Sequence, residues 1–207
     1  MNASAIILAG GLSTRFGQDK GLLTLANKPL IKHVLDAVDS IVDERIVVAS
    51  SKTQAENYTK ALGSNVKVVT DNDKMHSPLV GASTGFEEAA EAYSFLLPCD
   101  TPLVSREILC LLLDLSVNKT AVIPRWPNCY IEPLQAVYHT RSASEAARGA
   151  LEEGGMTMQS MVNKLRGVRY VSTLVLQQLD PDLKTFSNIN TPLDLKKAEN
   201  LLKSRRK

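Results

Sequence analysis

Gly10, Gly11, Arg15 and Lys20 sit in one short stretch directly behind the apolar run Ala5-Ile6-Ile7-Leu8-Ala9. A buried strand opening into paired glycines lets backbone N–H groups turn toward an anion with no Cβ in the way. The Arg15 guanidinium offers a planar fork for two phosphate oxygens. The Lys20 ammonium is a mobile point charge, able to follow charge developing on a transferred phosphoryl group. Together the four suit a nucleoside triphosphate; singly, they also suit a tight turn and two solvated cations. Two common nucleotide loops are excluded. The Walker A pattern Gly-x-x-x-x-Gly-Lys-Ser/Thr fails because Gly17 is followed by Gln18 and Lys20 precedes Gly21. The dinucleotide pattern Gly-x-Gly-x-x-Gly fails because Gly10 and Gly11 are adjacent.

Asp100 closes the run Ser94-Phe95-Leu96-Leu97-Pro98-Cys99, which reads as a buried strand. A carboxylate at such a tip costs desolvation unless it is paired, and Mg²⁺ is a natural partner because it prefers carboxylates, waters and phosphate oxygens. The competing reading makes Asp100 a cap for the helix from Val104 onward. Asn188 and Asn190 flank Ile189, so in an extended segment both amides face one side, where they can hold a water or a metal-bound phosphate. A plain Asx turn before the last helix is the alternative. Asp71 and Asp73 follow the third strand, where an acidic side chain can accept from the N1–H and amino group of guanine, or simply be a loop aspartate. Ser77-Pro78-Leu79-Val80-Gly81 opens a helix whose free N–H groups can help position a ligand.

These residues need a frame. Strands are expected over residues 4–9, 45–49, 66–69, 93–97 and 120–123, with helices over 29–42, 79–92 and 104–115 and a short one opening at the Thr53/Glu56 pair and ending near Gly63. That alternation implies an α/β fold, a three-layer sandwich around a mostly parallel, Rossmann-like sheet. Right-handed crossovers then collect the strand carboxyl ends, and every functional loop, along one edge. The last third is less regular. It is expected to contain a strand over 134–138, a helix opening at Ser142/Glu145, a short helix over 158–165, a strand over 168–175, and a final helix started by Thr191, Pro192 and Asp194. Residues 1–207 read as one domain, with 1–124 as the nucleotide-binding part and an elaborated carboxyl-terminal part over 125–207.

Composition narrows the class. A net charge of +2 over 207 residues gives no case for nucleic acid as the main partner. No segment approaches ~20 consecutive apolar residues, so no membrane span is expected. The amino terminus has no basic region ahead of an apolar signal core. Cys99, Cys110 and Cys129 form no CxxC pair and fit a reduced, cytoplasmic chain. His33, His76 and His139 give no zinc signature. Cys99 reads as buried filler, Met156, Met158 and Met161 as packing, and Arg141, Arg148 and Lys164 as solvated. Arg125 and Trp126, after the fifth strand, suit engagement of a flat ring and a phosphate, or are ordinary loop residues.

The residue set resembles the molybdenum cofactor guanylyltransferase (MobA-like) family, which has a glycosyltransferase-A-like nucleotidyltransferase fold. The opening pattern Leu-Ala-Gly-Gly-x-Ser-x-Arg-Met/Phe-Gly-x-Asp-Lys is matched from Leu8 to Lys20, including Ser13, Phe16, Gly17 and Asp19. Asp71 matches the acidic residue after the third strand, and Pro98 to Pro102 match Pro-x-Asp-x-Pro. Pro133 to Tyr138 match a Pro-Leu-x-Ala-x-Tyr-like stretch, and Asn188 to Leu195 match Asn-x-Asn-Thr-Pro-x-Asp-Leu. One departure is Ser77, where the family carries glycine.

The resemblance implies transfer of GMP from GTP to the terminal phosphate of molybdopterin or its molybdenum-loaded form, with release of pyrophosphate. It implies Mg²⁺ on Asp100, catalytic roles for Arg15, Lys20 and Asp100, and nucleotide contacts from Leu8, Ala9, Gly10, Gly11, Lys20, Asp71, Asp100, Asn188 and Asn190. It makes residues 125–207 the acceptor side, and transient contact with cofactor-insertion proteins or apo-molybdoenzymes goes with that role. The alternatives are cytidylyl transfer to the same cofactor, transfer to phospholactate or a sugar phosphate, and a non-catalytic nucleotide-binding adaptor. A dinucleotide-dependent oxidoreductase lacks its fingerprint.

Overall fold

Ala3, Ala5, Ile6 and Ile7 have no exposed surface, as a strand covered on both faces requires. They lie in β1 (Ala3–Leu8), the centre of the fold. The computed structural model describes residues 2–10, 12–13, 18–71 and 77–204. After β1 come the short antiparallel pair β2 (Leu12–Ser13) and β3 (Gln18–Asp19), a 3₁₀ turn (Lys20–Leu22), and the hairpin β4 (Thr24–Leu25) and β5 (Lys28–Pro29). Next are α1 (Leu30–Val38), β6 (Glu44–Ala49), α2 (Lys52–Leu62), β7 (Lys67–Thr70), α3 (Pro78–Glu88), β8 (Tyr93–Pro98), α4 (Arg106–Asp114) and β9 (Ala121–Arg125). The remainder is β10 (Ala136–His139), α5 (Thr140–Glu152), α6 (Met158–Val162), β11 (Val168–Ser172), α7 (Thr173–Leu176), a 3₁₀ turn (Lys184–Phe186) and α8 (Pro192–Ser204).

Seven of these strands form one sheet in the order β11-β9-β10-β8-β1-β6-β7. Pairing is parallel except at β10, which runs antiparallel to both neighbours. Successive β1 side chains feed opposite layers. Ile7 joins Val47, Leu97, Val34 of α1 and Ile108 of α4 on one face. Ile6 joins Ile46, Leu96, Phe86 of α3 and Ala147 of α5 on the other. The result is a three-layer α/β/α sandwich; each fully covered aliphatic or aromatic side chain contributes roughly 1.5–3 kcal/mol. A third cluster of Leu23, Leu25, Leu30, Leu103, Ile189 and Ala198 packs α8 over the hairpin. No helix among the described residues is long and apolar enough to cross a membrane.

Several local expectations need correction. Ser51, not Thr53, caps α2, because its hydroxyl accepts from Gln54 N (3.2 Å). His139, not Ser142, caps α5, with Nδ1 facing Ser142 N. Pro29 precedes α1 rather than standing in its first turn, since it pairs with Thr24 in the hairpin. The strand expected over 168–175 stops at Ser172, whose hydroxyl caps α7. Asp100 does not cap the following helix; Ser105 does, accepting from Ile108 N (3.3 Å). The final helix starts as expected, with Thr191 and Asp194 bonded reciprocally.

Candidate active site

Parallel register brings the loops together. Leu8 stands beside Val48 on one side and Pro98 on the other. Just beyond, Ala9 N donates to Val48 O (2.9 Å), Cys99 N to Leu8 O (3.1 Å) and Asp71 N to Ala49 O (2.9 Å). The tips of β1, β6, β7 and β8 therefore end level, and Gly10, Ser50, Asp71 and Asp100 line one cleft of about 660 Å³. Lys20, Asn188 and Asn190 line it too, as do Leu8, Ser77 and Gly81. Ala9 is buried behind it, with its carbonyl accepting from Gln54 Nε2 (2.9 Å). Gly11, Arg15 and Asp73 lie outside the described residues.

Lys20 is the hub. Its Nζ is paired with Asp100 Oδ2 and donates to Asn190 Oδ1 (2.6 Å). Asp100 Oδ1 is buried and has no hydrogen-bond partner among the described residues. Ile189 is buried away from the cleft, and its N–H donates to Asp100 O (2.9 Å). That bond carries the two flanking asparagines to the tip of β8.

A second set of residues holds Lys20 in place, and sequence reasoning missed it. Asp19 accepts from Tyr58 Oη (2.5 Å), Gln54 Nε2 (2.6 Å) and Gly21 N (3.0 Å). Gln54 Oε1 in turn accepts from Ser50 N (2.7 Å). A Cβ on Gly21 would collide with the Tyr58 hydroxyl and lie 3.2 Å from Cys99 Sγ, so the turn packs only as glycine. Burial, with the nearby Asp19 carboxylate adding to it, pushes the Tyr58 hydroxyl far above its ordinary value and keeps it a donor. Burial also pushes up the Cys99 thiol, as suits a packing residue rather than a nucleophile. Both Gln54 and Tyr58 are buried, one turn apart on an otherwise polar helix, and nothing in the local sequence marks them out.

Asp71 Oδ2 lies close to both Gly10 and Gly81; Cβ atoms there would stand 4.0 and 3.9 Å from it. Ser77 caps α3 in extended backbone (φ −143°), accepting from Val80 N (3.2 Å). A serine is therefore accommodated where the family has glycine, without left-handed strain.

The opposite wall is built by the carboxyl-terminal third: Tyr130, Glu132, Pro133, Leu134, Gln135 and Met158. Met158 thus reaches the cleft, beyond the purely packing role expected of it. Arg125 and Trp126 do not line it. The Arg125 guanidinium stacks over Tyr170 (5.0 Å). The Trp126 ring packs edge-on against Phe186 (5.7 Å), while its indole N–H donates to Glu132 Oε1 (2.7 Å). Burial lifts the Glu132 carboxyl above its ordinary range, and the Trp126 bond pulls it partly back. Arg141 and Lys164 pair with Glu145 (3.0 Å) and Glu153 (2.6 Å), and Arg148 lies 4.0 Å from Glu87, all three away from this wall.

No group of three or more His, Cys, Asp or Glu side chains able to enclose a metal occurs among the described residues. A cation that takes one carboxylate and fills its shell with water and phosphate oxygens still fits the donor set, because the buried Asp100 Oδ1 has no hydrogen-bond partner among the described residues.

The pattern of the MobA-like NTP transferase domain matches residues 5–168. The chain is 35% identical over 204 residues to a molybdenum cofactor guanylyltransferase of Desulfosudis oleivorans, covering 98% of this chain and 97% of that one. It is 33% identical to a probable molybdenum cofactor guanylyltransferase of Methanosarcina mazei, covering 93% and 88%. Its structure superposes on molybdopterin-guanine dinucleotide biosynthesis protein A of Archaeoglobus fulgidus with a TM-score of 0.80, 27% identity and coverage of 97% and 99%. A 2-C-methyl-D-erythritol 4-phosphate cytidylyltransferase of Thermus thermophilus shares the fold (TM-score 0.73, 17% identity, coverage of 98% and 100%). With its parallel-sheet sandwich and a lysine–aspartate–asparagine cluster at the strand tips, the chain belongs to the MobA-like NTP transferase family, among the nucleotidyltransferases.

Proposed function

We propose that this nucleotidyltransferase is a molybdenum cofactor guanylyltransferase, moving GMP from GTP to the terminal phosphate of molybdopterin or its molybdenum-loaded form. The observation that carries the reading is the meeting of Lys20, Asp100 and Asn190 in one cleft that the strand tips and the carboxyl-terminal third both line. The relatives named guanylyltransferases supply the base and the acceptor.

The acceptor's phosphate oxygen attacks the α-phosphorus of GTP. A new P–O bond forms, the bond to the β-phosphate bridging oxygen breaks, and pyrophosphate leaves. The nucleophile is already anionic, so no strong general base is required; the barrier is the approach of two anions. Lys20 counters that repulsion from inside the cleft, while Asn190 and Asp100 fix its ammonium. A Mg²⁺ ion held by Asp100 would supply further charge neutralisation at the phosphates. Gly10 gives the triphosphate close approach to backbone, with Leu8 and Ala9 setting the strand end behind it. Arg15 and Gly11, which lie outside the described residues, are assigned the phosphate contacts expected of them from the sequence. Asp71 accepts from the guanine N1–H and amino group, in a space that Gly10 and Gly81 leave free of Cβ atoms. Asn188 organises the acceptor side. Residues 1–124 supply the nucleotide site and residues 125–207 the acceptor wall, within a cytoplasmic protein that passes its product to cofactor-insertion proteins or apo-molybdoenzymes.

Pyrophosphate release from GTP, CTP, ATP and UTP, each with Mg²⁺ and molybdopterin, tests the reading. Release with GTP alone is expected. Release with CTP instead would replace guanylyl by cytidylyl transfer, and binding of nucleotide with no release would make the protein an adaptor.

A further inference from the structure

Gln135 is 4% exposed and belongs to the cleft wall. Its Nε2 donates to Thr185 O (2.8 Å), a carbonyl that can only accept. The amide orientation is thereby fixed, and Oε1 is left as a buried acceptor with no partner among the described residues. A buried acceptor without a donor carries an uncompensated desolvation cost, so its retention beside a cleft points to a donor on the ligand.

Glu132 stands beside it. Gln135 N donates to Glu132 O (3.1 Å), and Glu132 N donates to Pro124 O (3.0 Å), closing the turn that sets both side chains on one wall. Trp126 Nε1 holds one oxygen of the Glu132 carboxylate. The Lys184–Phe186 turn braces both residues: Thr185 O grips Gln135, and the Phe186 ring packs against the indole that grips Glu132. Thr185 is itself locked, its N–H donating to Asp180 Oδ2 (2.7 Å) and its Oγ1 accepting from Ser105 N (2.6 Å). Pro133, Leu134 and Met158 supply apolar surface on the same wall.

We infer that Glu132 and Gln135 form an acceptor-only reader for a flat heterocycle that presents adjacent N–H donors, the 2-amino, N3–H edge of a pterin. The inference rests on the proposed transfer to a pterin phosphate and adds the residues that choose the ring. Two oxygens on rigid supports select for N–H against an oxygen at the same position, because that oxygen would face them lone pair to lone pair.

The test uses the full chain and two fluorescent probes, 6-hydroxymethylpterin phosphate and the matching lumazine, in which oxygen replaces the 2-amino group. Wild type is expected to bind the pterin about tenfold more tightly than the lumazine or better. Glu132→Gln and Gln135→Met are each expected to erase most of that preference. Both are also expected to raise the acceptor KM while leaving the GTP KM unchanged. Thermal melting shows whether each variant is folded, and Glu132→Gln, which retains shape and the Trp126 contact, stands as the test if Gln135→Met unfolds. Equal affinity of wild type for the two probes, or an unaltered preference in folded Glu132→Gln, overturns the inference. Absence of transfer to molybdopterin with the pterin preference intact counts against the proposed reaction instead, and supports a pterin-binding cleft.

Discussion

The N–H of Ile189 donates to the carbonyl of Asp100 at 2.9 Å, tying the end of β8 to a segment that arrives only after the rest of the sheet is complete. Ile189 is buried in the cluster that packs α8 over the β4–β5 hairpin, so the link is held by packing as well as by the hydrogen bond. Asn188 and Asn190 inherit their place in the cleft from it.

Lys20 is shared between Asp100 and Asn190. Lys20→Met keeps the stem and removes the charge. Turnover is expected to fall about 100-fold or more, the scale of losing one preorganised charge at a reacting phosphate. Steady-state pyrophosphate release measures it, and turnover within twofold of wild type would remove Lys20 from the transfer step.

Gly21→Ala places a methyl group against the Tyr58 hydroxyl and near Cys99 Sγ. Overpacking of this kind costs roughly 1–3 kcal/mol. Tyr58→Phe takes away the hydroxyl but also strips a donor from Asp19. The double variant is therefore expected to lose less stability than the sum of the singles, read as non-additive shifts in urea midpoint. Strict additivity would mean that the two residues do not crowd one another.

Ser77 closes the first turn of α3 through its hydroxyl. Ser77→Ala is expected to cost about 1 kcal/mol of stability, and Ser77→Gly only a few tenths. Chemical denaturation checks the order. Equal losses for the two would show that the hydroxyl does not act as the cap.

Glu132 gives a pH signature. Its carboxyl binds a proton more tightly folded than unfolded, because burial raises it more than the Trp126 bond lowers it. The folded state then holds more protons across that interval, and stability falls as pH climbs from the ordinary carboxylate range through the raised folded value. Glu132→Gln is expected to flatten that stretch of the melting-temperature profile relative to wild type. An unchanged profile would assign the slope to other carboxylates.

The strand tips were legible because parallel pairing forces them level. Gly10, Asp71 and Asp100 each follow an apolar run, and the register of β1, β6, β7 and β8 puts them together. Asn188 and Asn190 were legible from alternation about a buried isoleucine. The helix starts at Ser51 and His139 were not, since neighbouring Thr53 and Ser142 carry equally good capping chemistry and only tertiary packing selects between them. Gln54, Tyr58, Glu132 and Gln135 follow no local pattern. Each owes its role to a partner that the topology supplies, such as Asp19 for Tyr58 or Thr185 for Gln135. The two readings of Trp126 are separated only by such partners: its ring is committed to Phe186 and its N–H to Glu132.

Asp100→Asn gives the most direct measurement. The change keeps the side chain's shape and its place at the tip of β8 but removes the negative charge from a carboxylate whose Oδ2 pairs with Lys20 and whose buried Oδ1 has no hydrogen-bond partner among the described residues. If Asp100 holds the divalent cation at the triphosphate, Mg²⁺-dependent pyrophosphate release from GTP falls by about 100-fold or more, with the melting temperature close to wild type. Release at a near-normal rate, with an unchanged Mg²⁺ requirement, would contradict the assignment.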